Sequence, residues 1–358
     1  MKVLLLNLVN NITGFKTGVQ GETIYTKLML EKSGCETVLV SNKDTEYTIS
    51  FETFNEKYPD PNYFDKIVFH PGSYNFFGGV ENQTLTSNFK ILAKYSKPLY
   101  VLQADAKLVF SQLWNSIKNR GWGYKEEDVW LNNPIRIISQ SRKIDEVKEI
   151  YRKQTDLNIE WIKHYPIDQY MAIALKEKDF TTNIEDKEFD LVYGGSFRGG
   201  SRKEKMVKYF TGDINENYKV ELFGTIKEKQ LEKFTENKLP SIGKKITVGE
   251  VPIKQSKSFS TIILGEKYYS DAMFTPRVWE SMLSDAVVLI DEEFDPKHIL
   301  MPNIQEVYVN SQEEVKQLLN KIKTDEEYRL NILKEQKQSV NSLVNTNEYL
   351  EGFKKIIL

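Results

Sequence analysis

Cysteine is almost missing: Cys35 is the only one in 358 residues. No internal disulfide can form, and such sparing use fits a reducing compartment. Histidine is scarce too, and His70, His164 and His298 lie too far apart for the Cys/His spacing of a zinc site. The N-terminal apolar run, Val3 to Leu6, is far too short to cross a bilayer, and no signal-peptide region follows it. These absences predict a soluble, intracellular chain with no membrane partner. An excess of one charge is also lacking. With a net charge of −2, nucleic-acid binding would have to come from local patches. One patch interleaves Lys118, Arg120 and Lys125 with Trp114, Trp122 and Tyr124, a pattern that equally suits a solvated mixed face.

Apolar material, by contrast, is plentiful. At 40% hydrophobic and 12% aromatic residues the chain can fill two cores, and its length argues for two domains. Short apolar runs recur at Met1–Asn7, Thr37–Val40, Ile67–His70, Leu99–Leu102 and Ile135–Ile138, with helix-like segments between several of them. Gly34 should end the first helix. Tyr165-Pro-Ile-Asp-Gln-Tyr170 reads as a crossing, after which a second series begins at Phe189, Val220–Phe223, Ile246–Val248, Thr261–Leu264, Val287–Ile290 and Val307–Val309. Such alternation predicts α/β architecture with doubly wound parallel sheets, and ligands at the carboxyl ends of the strands. From Gln312 onward the chain should be helical, with its last segment packing back on the first domain.

Three stretches carry chemistry. In the first, the strand Leu191–Tyr193 runs into Gly194, Gly195, Gly199 and Gly200, and Ser201 with Glu204 reads as a capping box, starting a helix near Arg202. Free N–H groups, the helix dipole and the forked cations Arg198 and Arg202 suit a diphosphate. A purely structural turn fits the local glycine pattern as well, and the arginines favour the phosphate site. In the second, Thr275 should cap a helix with Pro276 at its first position. Arg277 then falls in the first turn, and Glu280 one turn later can accept from a ribose diol or simply face solvent. The third comprises two loops after strands. Pro71–Gly79 holds Tyr74, Phe76 and Phe77, while Asp105 is a candidate catalytic base or a helix N-cap.

Several separated islands point further: Asn10-Asn11 with Phe15-Lys-Thr17, Glu22-Thr-Ile-Tyr25, Asn75-Phe-Phe-Gly-Gly79, Phe110-Ser-Gln112 with Trp114, and Lys118-Asn-Arg120. To these add Ile138-Ser-Gln140, Tyr193-Gly-Gly-Ser-Phe-Arg198, Arg277-Val-Trp-Glu280, Ser284-Asp-Ala-Val287 and Leu289–Asp295. Together they resemble the DNA β-glucosyltransferases of T-even-type bacteriophages over nearly the whole chain. The resemblance implies the GT-B fold, two Rossmann-like domains facing a central cleft. The acceptor domain would be 1–169, completed by a C-terminal helix 341–358, and the UDP-sugar domain 170–340.

The same resemblance implies inverting transfer of glucose from UDP-glucose to the hydroxymethyl group of 5-hydroxymethylcytosine in double-stranded DNA, with the target base flipped out. Asp105 would be the base. Glu22, Gly18 and Glu266 would meet the sugar. Gly195, Ser196, Arg198, Arg202, Gly224, Val251, Tyr269, Arg277 and Glu280 would hold UDP, and Asn75, Phe77 and Arg120 the DNA. The residues include no Asp-x-Asp for a metal, although the family implies that a divalent cation, Mg2+ or Mn2+, assists the diphosphate's departure. A monomer, a place in the cytoplasm of an infected bacterium and protection of phage DNA from host nucleases are implied likewise. The pattern departs from the family at Glu266 and Pro276, where a shorter acid and an aliphatic residue are expected, and Gly18 and Gly21 loosen the loop before Glu22. A longer acid favours a smaller or differently oriented sugar. That leaves two alternatives: a donor such as UDP-arabinose, or an acceptor already glycosylated. A third, of another class, is an inactive protein that binds modified DNA.

Overall fold

A computed structural model describes residues 1–7, 21–41, 44–60, 62–70, 97–103, 133–153, 157–196, 201–225, 240–244, 246, 249–265, 271 and 273–357. The chain forms two compact units: 1–170 with 346–358, and 171–345.

The first unit is built on strands β1 (Lys2–Asn7), β2 (Glu36–Ser41), β3 (Ile49–Ser50), β4 (Lys66–His70), β5 (Leu99–Gln103), β6 (Ile135–Ser139) and β7 (Ile159–His164). They make one parallel sheet in the order β3-β2-β1-β4-β5-β6-β7. Val3 to Leu6 are fully buried because β1 lies at the centre, between β2 and β4, where both faces of a strand must be apolar. Helices α1 (Gly21–Lys32), α2 (Phe51–Lys57) and α3 (Ile144–Arg152) belong to this unit. Of α3 only Val147 and Tyr151 are buried, one turn apart on a single face, and they join Leu4, Phe69, Val101 and Ile137 in the core.

Crossing to the second unit, helix α4 (Tyr170–Leu175) follows the Tyr165–Tyr170 segment. A six-stranded parallel sheet comes next, from β8 (Phe189–Ser196), β9 (Val220–Thr225), β10 (Ser241–Gly243), β11 (Ser258–Ile263), β12 (Val287–Asp291) and β13 (Tyr308–Val309), ordered β10-β9-β8-β11-β12-β13. The described helices here are α5 (Ser201–Phe210), α6 (Ile214–Asn217), α7 (Val251–Ser256), α8 (Pro276–Leu283), α9 (Gln312–Thr324) and α10 (Glu326–Leu343). Helix α11 (Thr346–Ile357) returns to the first unit, where the Tyr165 hydroxyl donates to the Tyr349 carbonyl and the Tyr165 and Phe353 rings lie 5.6 Å apart. Residues 341–343 continue α10, so the returning helix begins only at Thr346.

One strand expectation needs correction, and β7 is a strand that the apolar runs do not announce. Ile246 lies outside any strand; its side chain packs on Val192, Phe223 and Val251, and the strand beside β9 is the short Ser241–Gly243 instead. β7 lies at the sheet edge, where its half-exposed side chains hide the strand from a search for apolar runs. In both sheets the chain moves outward from the first strand and then reverses, between β1 and β4 and between β8 and β11. Such reversals open a crevice at the strands' carboxyl ends.

Candidate nucleotide pocket

At the β8/β11 reversal lies a cavity of about 180 Å3. Its walls are the end of β8 (Tyr193, Gly194, Gly195), the end of β11 with Leu264 and Gly265, and Arg202, Thr275, Arg277, Ser281 and Phe294. The glycines are steric necessities. A Cβ on Gly194 would sit 2.6 Å from Phe223 Cζ and 3.0 Å from Arg277 Nη1. Gly224, at φ +124°, pairs with Gly195 so closely that a Cβ there would fall 2.0 Å from the Gly195 carbonyl oxygen. Bare backbone therefore faces the cavity beneath a guanidinium.

Two helices bring the cations. α5 begins at Ser201, one residue earlier than the capping box predicts, and sets Arg202 in its first turn against the cavity. The Arg202 Nε is buried without a hydrogen-bond partner among the described residues. α8 starts as expected, with Thr275 at the N-cap in extended geometry and Pro276 in the first turn, although the threonine side chain makes no capping bond. Arg277 is left 41% exposed, and its Nε lies 3.1 Å from Glu280 Oε2.

Glu280 is the unusual member. The carboxylate is fully buried, Oε2 faces Arg277, and Oε1 has no partner among the described residues. Burial pushes its carboxyl above the usual glutamate range, while Arg277 and the Gly249 N–H act in the opposite direction. A buried, unpaired carboxylate oxygen is costly in a folded chain and suits a ligand that donates hydroxyls. Val251, 2% exposed, opens α7, and Gly249 just before it has φ +90°. Gly195, Arg202, Gly224, Val251, Arg277 and Glu280 thus all lie in the second unit, with Gly195, Arg202 and Arg277 lining the cavity itself.

Ser196 ends β8 and Glu22 lies in the first turn of α1; the side chains of both lie outside the described residues. Gly18, Asn75, Phe77, Asp105, Arg120, Arg198, Glu266 and Tyr269 are outside them altogether. What the sequence reading missed is the cavity's support: Lys205 and Asp291 form a buried ion pair at 2.9 Å, and Phe294 closes one wall. Lys205 hides in Arg-Lys-Glu-Lys, which looks solvated. The signal was its helical spacing from Arg202, Met206 and Tyr209 on one face.

Among the described residues no cluster of three or more His, Cys, Asp or Glu could hold a metal, and no helix is long and apolar enough to cross a membrane. The family model described as bacteriophage T4 beta-glucosyltransferase matches residues 1–171. The DNA beta-glucosyltransferase of Enterobacteria phage T4 is 36% identical over 364 residues, covering all of this chain and 99% of the relative. Among solved structures, the T4 phage enzyme with UDP and Mn2+ superposes with a TM-score of 0.83 at 36% identity, and its complex with UDP-glucose with 0.81 at 35%. Each covers 100% of this chain and 99% of the other.

Proposed function

Because the chain belongs to the family of the T4 phage DNA β-glucosyltransferase and shares its GT-B fold, we propose that it moves glucose from UDP-glucose to the hydroxymethyl group of 5-hydroxymethylcytosine in duplex DNA. The observation that carries the donor half is Glu280. Its free, buried Oε1 suits the ribose diol, and Arg277 beside it suits the diphosphate. Arg202 adds a second cation at the cavity, with Arg198, Ser196, Gly195 and Gly224 on the same side of the nucleotide, Val251 at the uracil, and Tyr269 completing the UDP site.

In the reaction, Asp105 takes the hydroxymethyl proton as that oxygen attacks the anomeric carbon from the face opposite UDP. The bond from carbon to diphosphate oxygen breaks, UDP leaves, and one displacement yields a β-linkage. Arg202 and Arg277 stabilise the charge that develops on the diphosphate. Glu22, Gly18 and Glu266 frame the sugar. The target base must leave the stack to bring its hydroxymethyl group to the donor, and Asn75, Phe77 and Arg120 attend that opening.

The test incubates the protein with hydroxymethylated duplex and either UDP-glucose or UDP-arabinose, digests the DNA to nucleosides and weighs them. A hexosyl nucleoside is expected. A pentosyl or doubly glycosylated product moves the assignment to another donor or acceptor, and no product despite DNA binding makes the protein a modified-base binder. Asp105→Asn should lower single-turnover transfer about a hundredfold to ten-thousandfold; turnover within about threefold of the parent would remove Asp105 from the role of base.

A further inference from the structure

Beneath the cavity, the Lys205 ammonium makes two hydrogen bonds and a further ion pair, to three separate acceptors. It donates to the Gly265 carbonyl at 2.9 Å and to Asp291 Oδ1 at 2.9 Å, and it lies 3.2 Å from Glu293 Oε2. Its side chain is 7% exposed and Asp291 1%, while Glu293 is open to water. A buried ion pair of this kind is weak evidence for stability, since an apolar pair of similar volume does as well or better. What it supplies is direction.

Gly265 belongs to the cavity wall, and Asp291 supports Phe294, which does too. Gly265 follows β11 and lines the cavity, and Phe294 lies against it so closely that a Cβ on Gly265 would fall 2.4 Å from the ring. Asp291 ends β12 and shapes the turn that delivers Phe294: its Oδ1 accepts from the Glu293 N–H at 3.0 Å and its carbonyl from the Phe294 N–H at 2.8 Å. One turn along α5 from Lys205, the Tyr209 hydroxyl donates to the Val309 carbonyl at 2.9 Å and lies 3.4 Å from Asp291 Oδ2. The helix whose first turn carries Arg202 is therefore bolted to Gly265 just beyond β11 and to the ends of β12 and β13.

We propose that Lys205 is a positioning residue for the donor. Through Gly265 and Asp291 it fixes the Gly265–Phe294 wall relative to Arg202, and nucleotide affinity depends on that spacing. This rests on reading the cavity as the UDP site. Lysine suits the task because a compact ammonium can aim three donors at three directions, whereas a planar guanidinium cannot replace that geometry.

Two variants test it. Lys205→Arg keeps the buried charge balanced, and Lys205→Met with Asp291→Asn removes both charges together, so neither leaves an uncompensated ion. Both should fold with melting temperatures near the parent, yet calorimetric Kd for UDP and KM for UDP-glucose should rise at least about tenfold. KM for DNA should stay unchanged, a split that a general loss of packing would not give. A folded variant of either kind with parental UDP affinity overturns the inference. So does the failure of both to fold, which would make the lysine a support of the whole unit. A parent chain that binds no UDP at all would sink the functional reading and this inference with it, whereas a parent that binds, alongside variants that bind equally, sinks the inference alone.

Discussion

Glu280 and Arg277 form one device seen from two sides. Burial holds the glutamate carboxyl above its ordinary 4.5, so in the folded chain its charged form costs stability at neutral pH. That cost fades as pH falls toward the unfolded value. Glu280→Gln should therefore raise the melting temperature of the second unit at pH 7 while weakening UDP binding, because an amide offers a ribose diol one acceptor in place of a carboxylate. A variant that binds UDP like the parent would detach Glu280 from the nucleotide. Arg277, partly exposed at the cavity, should contribute to binding rather than to folding. Arg277→Ala should lose about tenfold or more in affinity for UDP and UDP-glucose alike, since a charged hydrogen bond is worth roughly 1.5–3 kcal/mol and the diphosphate is common to both. Unchanged calorimetric affinity for UDP would exclude it.

Among the elements, strands buried on both faces were legible, and of the edge strands only β13, whose two residues are buried, was. β1, β5 and β12 are unbroken apolar strands, and the spacing of Val147 and Tyr151 belongs to a helix with one wet face. β7 and β10 keep too few buried side chains to stand out, and Ile246 imitates a strand because an apolar residue can fill a core from a loop. At the site, Arg277 and Glu280 were legible because a Thr-Pro start fixes the helix turn each occupies. Lys205 was not, since its charge disguises a spacing that sets it on one helix face with Met206 and Tyr209, where the fold covers it. The returning helix α11 has an obvious stripe in Tyr349, Phe353 and Ile357, all buried. Phe353→Ala removes a ring that lies 5.6 Å from Tyr165 and should cost about 3–5 kcal/mol. Urea unfolding followed by a first-unit tryptophan such as Trp161 should show the loss, while calorimetric UDP affinity in the second unit stays put; a fall in UDP affinity would mean that α11 matters beyond the unit it joins.

At the scale of the whole molecule, two similar sheets carry different acid sensitivities. His70 closes β4 in the first unit, is 0% exposed, and has an Nε2 without a partner, with Thr23 Oγ1 3.5 Å from Nδ1. Burial lowers its pKa from 6.5 to about 4. The unfolded imidazole takes a proton as pH passes 6.5 and the folded one only near 4. The contribution of His70 to the first unit's stability is thus complete above 6.5 and declines as pH falls between those values, by about 2 kcal/mol at pH 5, and His164, whose pKa partial burial also lowers, acts in the same direction. No buried histidine imposes this loss on the second unit, where the Glu280 cost shrinks as pH falls. Urea unfolding at pH 5 should therefore separate into two steps that lie closer together at pH 7.5, the earlier one belonging to the first unit. UDP at a hundredfold excess over its Kd should move only the later step, by about 2.7 kcal/mol. His70→Asn should abolish most of the acid shift of the earlier step. One cooperative transition that moves with both acid and UDP would show the units to be thermodynamically coupled, and a pH-independent first step would show that His70 is protonated within the fold.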